Sequence, residues 1–178
     1  MTRQVELMDI FLQPGELFVA DAGFQIRTIL GSCVSITLWH PVALMGGMSH
    51  FLLPTRGKVV QEHELDGRYA DEALILMLKD LKAAGVNHQQ CQAKVFGGGN
   101  MFPEHTRANE ITIGQRNGEA ARALLECQGI EVVTENLYGN GHRQLVFNVS
   151  TGDVWSRQVR PSRLESSTDR YAIKGIQK

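Results

Sequence analysis

The residues best suited to covalent chemistry are Cys33 and His50, and their spacing invites a pairing. Cys33 follows Gly31-Ser32 and opens the alternating stretch Cys33 to Trp39. His50 closes the run Gly46-Gly47-Met48-Ser49. If these segments form a hairpin turning between Pro41 and Val42, position 33 faces position 50, with Cβ atoms ~4.5–5.5 Å apart. A thiol ionises with a pKa near ~8.5, and an adjacent imidazolium stabilises its thiolate. Such a thiolate attacks a carboxamide carbon. The imidazolium then protonates departing ammonia and activates water to hydrolyse the thioester. The Gly31-Ser32 turn adds backbone N–H groups that can face an oxyanion. Taken singly, a free cysteine reads as a small buried hydrophobe and a strand histidine as a core residue bonded to a carbonyl. The two placed opposite each other favour the catalytic pair.

The elements that must position this pair are short strands. Glu16 to Ala20 and Gln25 to Leu30 precede the cysteine. In Cys33 to Trp39, residues 33, 35, 37 and 39 share one face and Val34, Ile36 and Leu38 the other. Leu44 to Leu53 is the returning strand, where Gly46-Gly47 signals a bulge or a close backbone approach. A polar loop spans Pro54 to Gly67. Ala70, Ala73, Leu74, Met77, Leu78 and Leu81 then keep helical spacing up to a stop at Gly85. A second helix runs from Gln115 to Gln128. Further strands fall at Ala93 to Phe96, Ile130 to Thr134, Gln144 to Val149 and Val154 to Val159, the last two joined by the hairpin turn Ser150-Thr151-Gly152-Asp153. The pattern is α+β, with layered antiparallel or mixed sheets.

Bulk properties set limits. The chain has 178 residues, 43% hydrophobic and 21% charged, which suits one domain with a packed core. A core is expected from about Gln13 to Val159, with residues 161–178 as a loose tail or docking extension. A net charge of −1 without basic runs argues against nucleic acid as a partner. No run is apolar enough for a signal peptide or membrane span, so direct membrane insertion is not expected. Three cysteines (Cys33, Cys91 and Cys127) form neither a disulfide framework nor a zinc pattern, and a reducing cytoplasmic setting fits them. No metal or cofactor is expected.

The ordered motifs carry a resemblance. Thr28-Ile29-Leu30-Gly31-Ser32-Cys33-Val34, Pro41-Val42-Ala43 and Gly46 to Pro54 closely resemble the CheD chemoreceptor glutamine deamidases. So do Lys94 to Phe102 with its three glycines, Ile113-Gly114-Gln115-Arg116-Asn117, and Phe147 to Gly152. The resemblance implies a three-layer α/β fold similar to the catalytic domain of cytotoxic necrotizing factor toxins, with two helices on one side. It implies a Cys33–His50 pair that converts receptor glutamines to glutamate. Its partners would be the cytoplasmic domain of methyl-accepting chemotaxis receptors and, in some bacteria, a CheC-type phosphatase. The family pattern also has a threonine as a third catalytic member, often six positions before the cysteine, a role that would fall to Thr28. That position holds Arg27 here, with Thr28 beside it. One residue reverses a strand face, so Thr28 either points away from the pair or is restored by a local irregularity.

Other residues take lesser roles. Gly31 and Ser32 are expected to shape the anion pocket, and Asn100 and Met101 to line a substrate groove or simply form a turn. Gly97-Gly98-Gly99 lacks the lysine of a nucleotide loop. Arg116 and Asn117 read as ties between a helix end and a loop. Two competing functions remain open at this level: a docking module for receptors or a phosphatase with little turnover, and a general thiol amidase or esterase, receptor methyl esters included.

Overall fold

The computed structural model describes residues 6–159. Nine strands and two helices follow the order β1 (Met8–Phe11), β2 (Leu17–Ala20), β3 (Phe24–Leu30), β4 (Val34–His40), β5 (Met45–Ser49), α1 (Ala70–Ala83), β6 (Gln92–Gly97), α2 (Ile113–Cys127), β7 (Glu131–Leu137), β8 (His142–Asn148) and β9 (Val154–Val159). Two mixed sheets form. One has the order β1-β3-β8-β9 with β1 parallel to β3, and the other β2-β5-β4-β6-β7 with β6 parallel to β7.

Alternation in β4 explains the layering. Val34, Ile36 and Leu38 face α1 and α2 in one buried cluster with Leu74, Met77, Leu81 and Leu125. The opposite face of the same sheet meets the four-stranded sheet. There Ile26, Leu30, Leu145 and Phe147 pack against Met48 and Phe96, with Cys33 and Trp39 at the cluster's edge. Each fully buried side chain of this size contributes about 1.5–3 kcal/mol relative to exposure. The expected α+β architecture, with both helices on one side, is what the chain adopts. The sequence pattern does not announce β1, whose four residues MDIF are mostly exposed and lack alternation. It precedes the expected start of the core at Gln13, and Leu12 just after it is 2% exposed in the inter-sheet cluster. The expected C-terminal tail, residues 161–178, lies outside the described residues.

The hairpin register differs from expectation by two residues. Thr37 pairs with Met48, His40 with Met45, and Val34 forms a bridge with Phe51. The turn occupies Pro41 to Leu44, closed by the Leu44 N–H donating to the His40 carbonyl, with Leu44 at a φ of 50°. Its centre therefore sits one residue later, and His50 falls opposite Ser35 rather than Cys33. Because the shift is even, Cys33 and His50 stay on the same face, as diagonal neighbours. Gly46-Gly47 makes no bulge. A Cβ on Gly46 would lie 2.5 Å from the Leu38 carbonyl oxygen and one on Gly47 2.8 Å from Val19 Cγ2, so glycine here permits close approach.

Candidate active site between two sheets

Three strands deliver three side chains to the inter-sheet layer. Thr28, 1% exposed, points inward from β3 between Ile26 and Leu30. His50, 2% exposed, follows β5. Its backbone is held on one side by the segment before β2: the His50 N–H donates to the Glu16 carbonyl (2.9 Å) and the Gly15 N–H to the His50 carbonyl (2.7 Å). Phe51, next in the chain, exchanges both backbone bonds with Val34 (3.2 and 3.1 Å). Cys33, half-buried, sits just outside that last bridged pair.

Thr28 Oγ1 lies 2.8 Å from His50 Nδ1 and 2.8 Å from the Leu12 carbonyl oxygen. A carbonyl has no proton to give, so the hydroxyl donates to Leu12 and its lone pair accepts from Nδ1–H. That fixes the tautomer and leaves Nε2 as the basic nitrogen. The inward position of Thr28 is a finding of strand parity. Arg27, which holds the position six residues before the cysteine, points outward and pairs with Asp9 of β1 (Nε to Oδ1 2.8 Å).

Electrostatics differ from the ion pair expected at rest. Burial, the largest influence, pushes the His50 imidazole from 6.5 down to about 4, against smaller upward effects of the Leu12 carbonyl and Glu16. Burial also raises the Cys33 thiol, partly offset by its own backbone N–H. At neutral pH the two groups are therefore uncharged.

The turn that carries Cys33 is held at three successive carbonyls. Gly31 O accepts from Gly99 N–H (2.9 Å), Ser32 O from Asn117 Nδ2 (3.1 Å), and Cys33 O from Gly98 N–H (2.8 Å). Among the described residues, the amide N–H groups of Ser32 and Cys33 have no acceptor in backbone or side chain beyond the Cys33 sulfur. The Gly97-Gly98-Gly99 bend is in turn held by Arg143, 2% exposed, whose guanidinium donates to the Gly97 and Tyr138 carbonyls at 2.6 Å each. Sequence reasoning missed Arg143, which falls just before the strand expected from Gln144, whereas the strand begins at His142. It placed Asn117 as a tie between helix and loop, which is the contact observed, whereas Arg116 is exposed.

Ser32, Gly99, Asn100 and Met101 border a cavity of about 310 Å³, rimmed by Phe102 and Ile113. Met101 lies against Gly31, where a Cβ would come 3.0 Å from its sulfur. The Asn100 amide is committed to its own loop: Nδ2 donates to Thr106 Oγ1 (2.9 Å) and Oδ1 accepts from Phe102 N–H (3.0 Å). Cys91 is buried, with its thiol pushed up to about 11, and Cys127 is exposed at the end of α2. Among the described residues, no three His, Cys, Asp or Glu side chains gather where they could hold a metal ion.

Comparison with known proteins agrees with the motifs. A family model described as "CheD chemotactic sensory transduction" matches residues 52–158. The chain belongs to the CheD family. A relative from Albidiferax ferrireducens, named "Probable chemoreceptor glutamine deamidase CheD 2", is 61% identical over 93% of this chain and 96% of its own length. One from Chromobacterium violaceum, named "Probable chemoreceptor glutamine deamidase CheD 1", is 40% identical over 89% of this chain and 81% of its own. A CheD relative from Leptospira interrogans is 35% identical over 84% of this chain and 92% of its own. The family model starts beyond Cys33 and His50, while the CheD relatives' alignments extend over most of the chain. No helix of the described residues is long and apolar enough to cross a membrane.

Proposed function

We propose that this chain is a protein-glutamine deamidase that converts glutamine side chains of chemoreceptors to glutamate, with Cys33 as nucleophile. The observation that carries the reading is the 2.8 Å contact between Thr28 Oγ1 and His50 Nδ1, on the layer and face that Cys33 shares. The Cys33 thiol proton passes to His50 Nε2 as sulfur adds to the carboxamide carbon. The resulting oxyanion accepts hydrogen bonds from the Ser32 and Cys33 N–H groups. Collapse breaks the C–N bond, and the imidazolium proton leaves with nitrogen as ammonia. Water, losing a proton to His50, then attacks the thioester, and the sulfur departs and takes that proton back. The products are the resting thiol and a carboxylic acid, which gives its proton to the released ammonia to become the carboxylate.

Thr28 holds the imidazole in the tautomer this sequence requires. The cavity beside Ser32 and Met101 suits a side chain presented from a receptor helix. The setting is the cytoplasm, where the cytoplasmic domains of methyl-accepting receptors are the substrates and a CheC-type phosphatase is a further partner. Kinship of the layered fold with the cytotoxic necrotizing factor catalytic domain belongs to the same proposal.

The test is mass spectrometry of a purified cytoplasmic chemoreceptor fragment after incubation with the wild-type chain or Cys33→Ala. Amide-to-acid conversion by the wild type and none by Cys33→Ala is expected. Full activity of Cys33→Ala would overturn the mechanism. Equal receptor binding by both, with neither converting glutamine, would favour a docking module. A parallel panel of free glutamine, peptide amides and methyl esters separates this activity from a general thiol hydrolase.

A further inference from the structure

Asn117 stands in the interior of α2, where asparagine is a poor helix former unless its side chain has work elsewhere. It is 0% exposed. Both protons of its Nδ2 are used, one on Ser32 O (3.1 Å) and one on Leu52 O (2.8 Å). The amide orientation follows from chemistry, since a flipped group would turn its oxygen toward two carbonyl oxygens. Its Oδ1 is buried without a partner among the described residues. A buried acceptor left unpaired costs stability, and an apolar residue would avoid that cost. The amide is thus retained for its two donated bonds.

Those bonds fall at a particular place. Val34 and Phe51 form the last bridged pair, so the β4/β5 register carried one step outward sets Cys33 facing Leu52. Asn117 staples the end of the ladder where backbone bonds between the two segments run out. It grips the carbonyl of the Ser32–Cys33 peptide. In a planar trans peptide C=O and N–H point in opposite directions, so fixing Ser32 O fixes where Cys33 N–H points. That N–H donates to no other residue among the described residues.

The sequence explains how Asn117 arrives there. Gly114, one turn earlier, packs backbone to backbone on Gly98, where a Cβ on Gly98 would lie 2.6 Å from the Gly114 carbonyl oxygen. This contact seats the first turn of α2 against the glycine bend that holds Gly31 O and Cys33 O.

We propose that Asn117 is a positioning residue that aims the Cys33 N–H at the oxyanion of the acyl-transfer transition state. It acts through the Ser32–Cys33 peptide and touches no substrate. The inference rests on the deamidase reading, and the experiment separates the two.

Wild type, Cys33→Ala and Asn117→Ala are compared on a purified cytoplasmic chemoreceptor fragment, alongside alkylation of Cys33 by iodoacetamide, which needs no oxyanion donor. Asn117→Ala should lower kcat roughly 10²-fold with KM little changed, as loss of an oxyanion donor does. Its Cys33 alkylation rate and pH profile should match the wild type. A folded Asn117→Ala with wild-type kcat, beside an inactive Cys33→Ala, overturns this inference alone. Equal losses of kcat and alkylation overturn it too, because they mark general disruption. A wild type that converts no glutamine overturns both readings. If Asn117→Ala does not fold, a glutamate γ-semialdehyde peptide added to ¹⁵N-labelled wild type decides. Thiohemiacetal formation should move the Cys33 amide proton downfield, and an unmoved Cys33 amide overturns the inference.

Discussion

Replacing Thr28 by valine isolates the tautomer from everything else in the site. The two side chains share a shape, so the packing among Ile26, Leu30 and Phe147 is kept. What disappears is one hydroxyl that accepts from His50 Nδ1–H and donates to Leu12 O, at 2.8 Å each. At 2% exposure His50 has no ready solvent replacement. An unpaired buried N–H costs about 1–3 kcal/mol, and the ring escapes that cost by moving its proton to Nε2. That tautomer cannot take the thiol proton. At 1.4 kcal/mol per tenfold, the competent form falls by about 10–100-fold, and kcat should fall with it. KM should change little, since Thr28 lies beneath the histidine and away from substrate. Thr28→Ser, which keeps the hydroxyl, should fall between the two. The assay is initial-rate deamidation of a receptor fragment followed by mass spectrometry, with urea unfolding run in parallel. A kcat for Thr28→Val within about threefold of wild type, with His50→Ala inactive, would refute the reasoning.

Two further outcomes follow from the geometry. Because His50 titrates at about 4 when folded and near 6.5 when unfolded, the unfolded chain binds more protons between these values. Its contribution to stability is fully present above pH 6.5 and is lost as pH falls toward 4, about 3 kcal/mol in all. Urea midpoints of wild type and His50→Gln across this window should diverge, and parallel curves would count against a buried neutral imidazole. Gly114→Ala would set a methyl group against the Gly98 backbone. It should cost about 1–3 kcal/mol of stability and lower kcat by shifting Asn117, whereas unchanged melting and turnover would show that the helix seat tolerates a side chain.

The sequence made some of this legible and concealed the rest for physical reasons. Alternation in Cys33 to Trp39 identified which side chains share the inter-sheet face, because burial on both sides of β4 leaves Val34, Ile36 and Leu38 for the helices. Helical spacing located α1 to its first residue, Ala70. The turn centre was off by one position because Leu44 adopts a left-handed conformation that nothing in its side chain advertises. Parity still kept Cys33 and His50 on one face. Thr28 was undecidable from spacing alone, since its facing depends on how β3 crosses the other sheet. Arg143 left no trace in pattern: its burial is compensated by the carbonyls of Gly97 and Tyr138, contacts that exist only after folding.

The chemistry-bearing side chains all lie within the first fifty residues, but the restraints on the Cys33 turn come from Gly98, Gly99, Asn117 and, through the glycine bend, Arg143. A chain emerging from the ribosome therefore exposes its thiol long before it can hold that thiol in place. Loops this distant close late, after much of the conformational entropy has been surrendered. Competence is deferred until the glycine bend, the second helix and the eighth strand have all been made. An incompletely synthesised or clipped copy would carry the reactive groups without the means to use them.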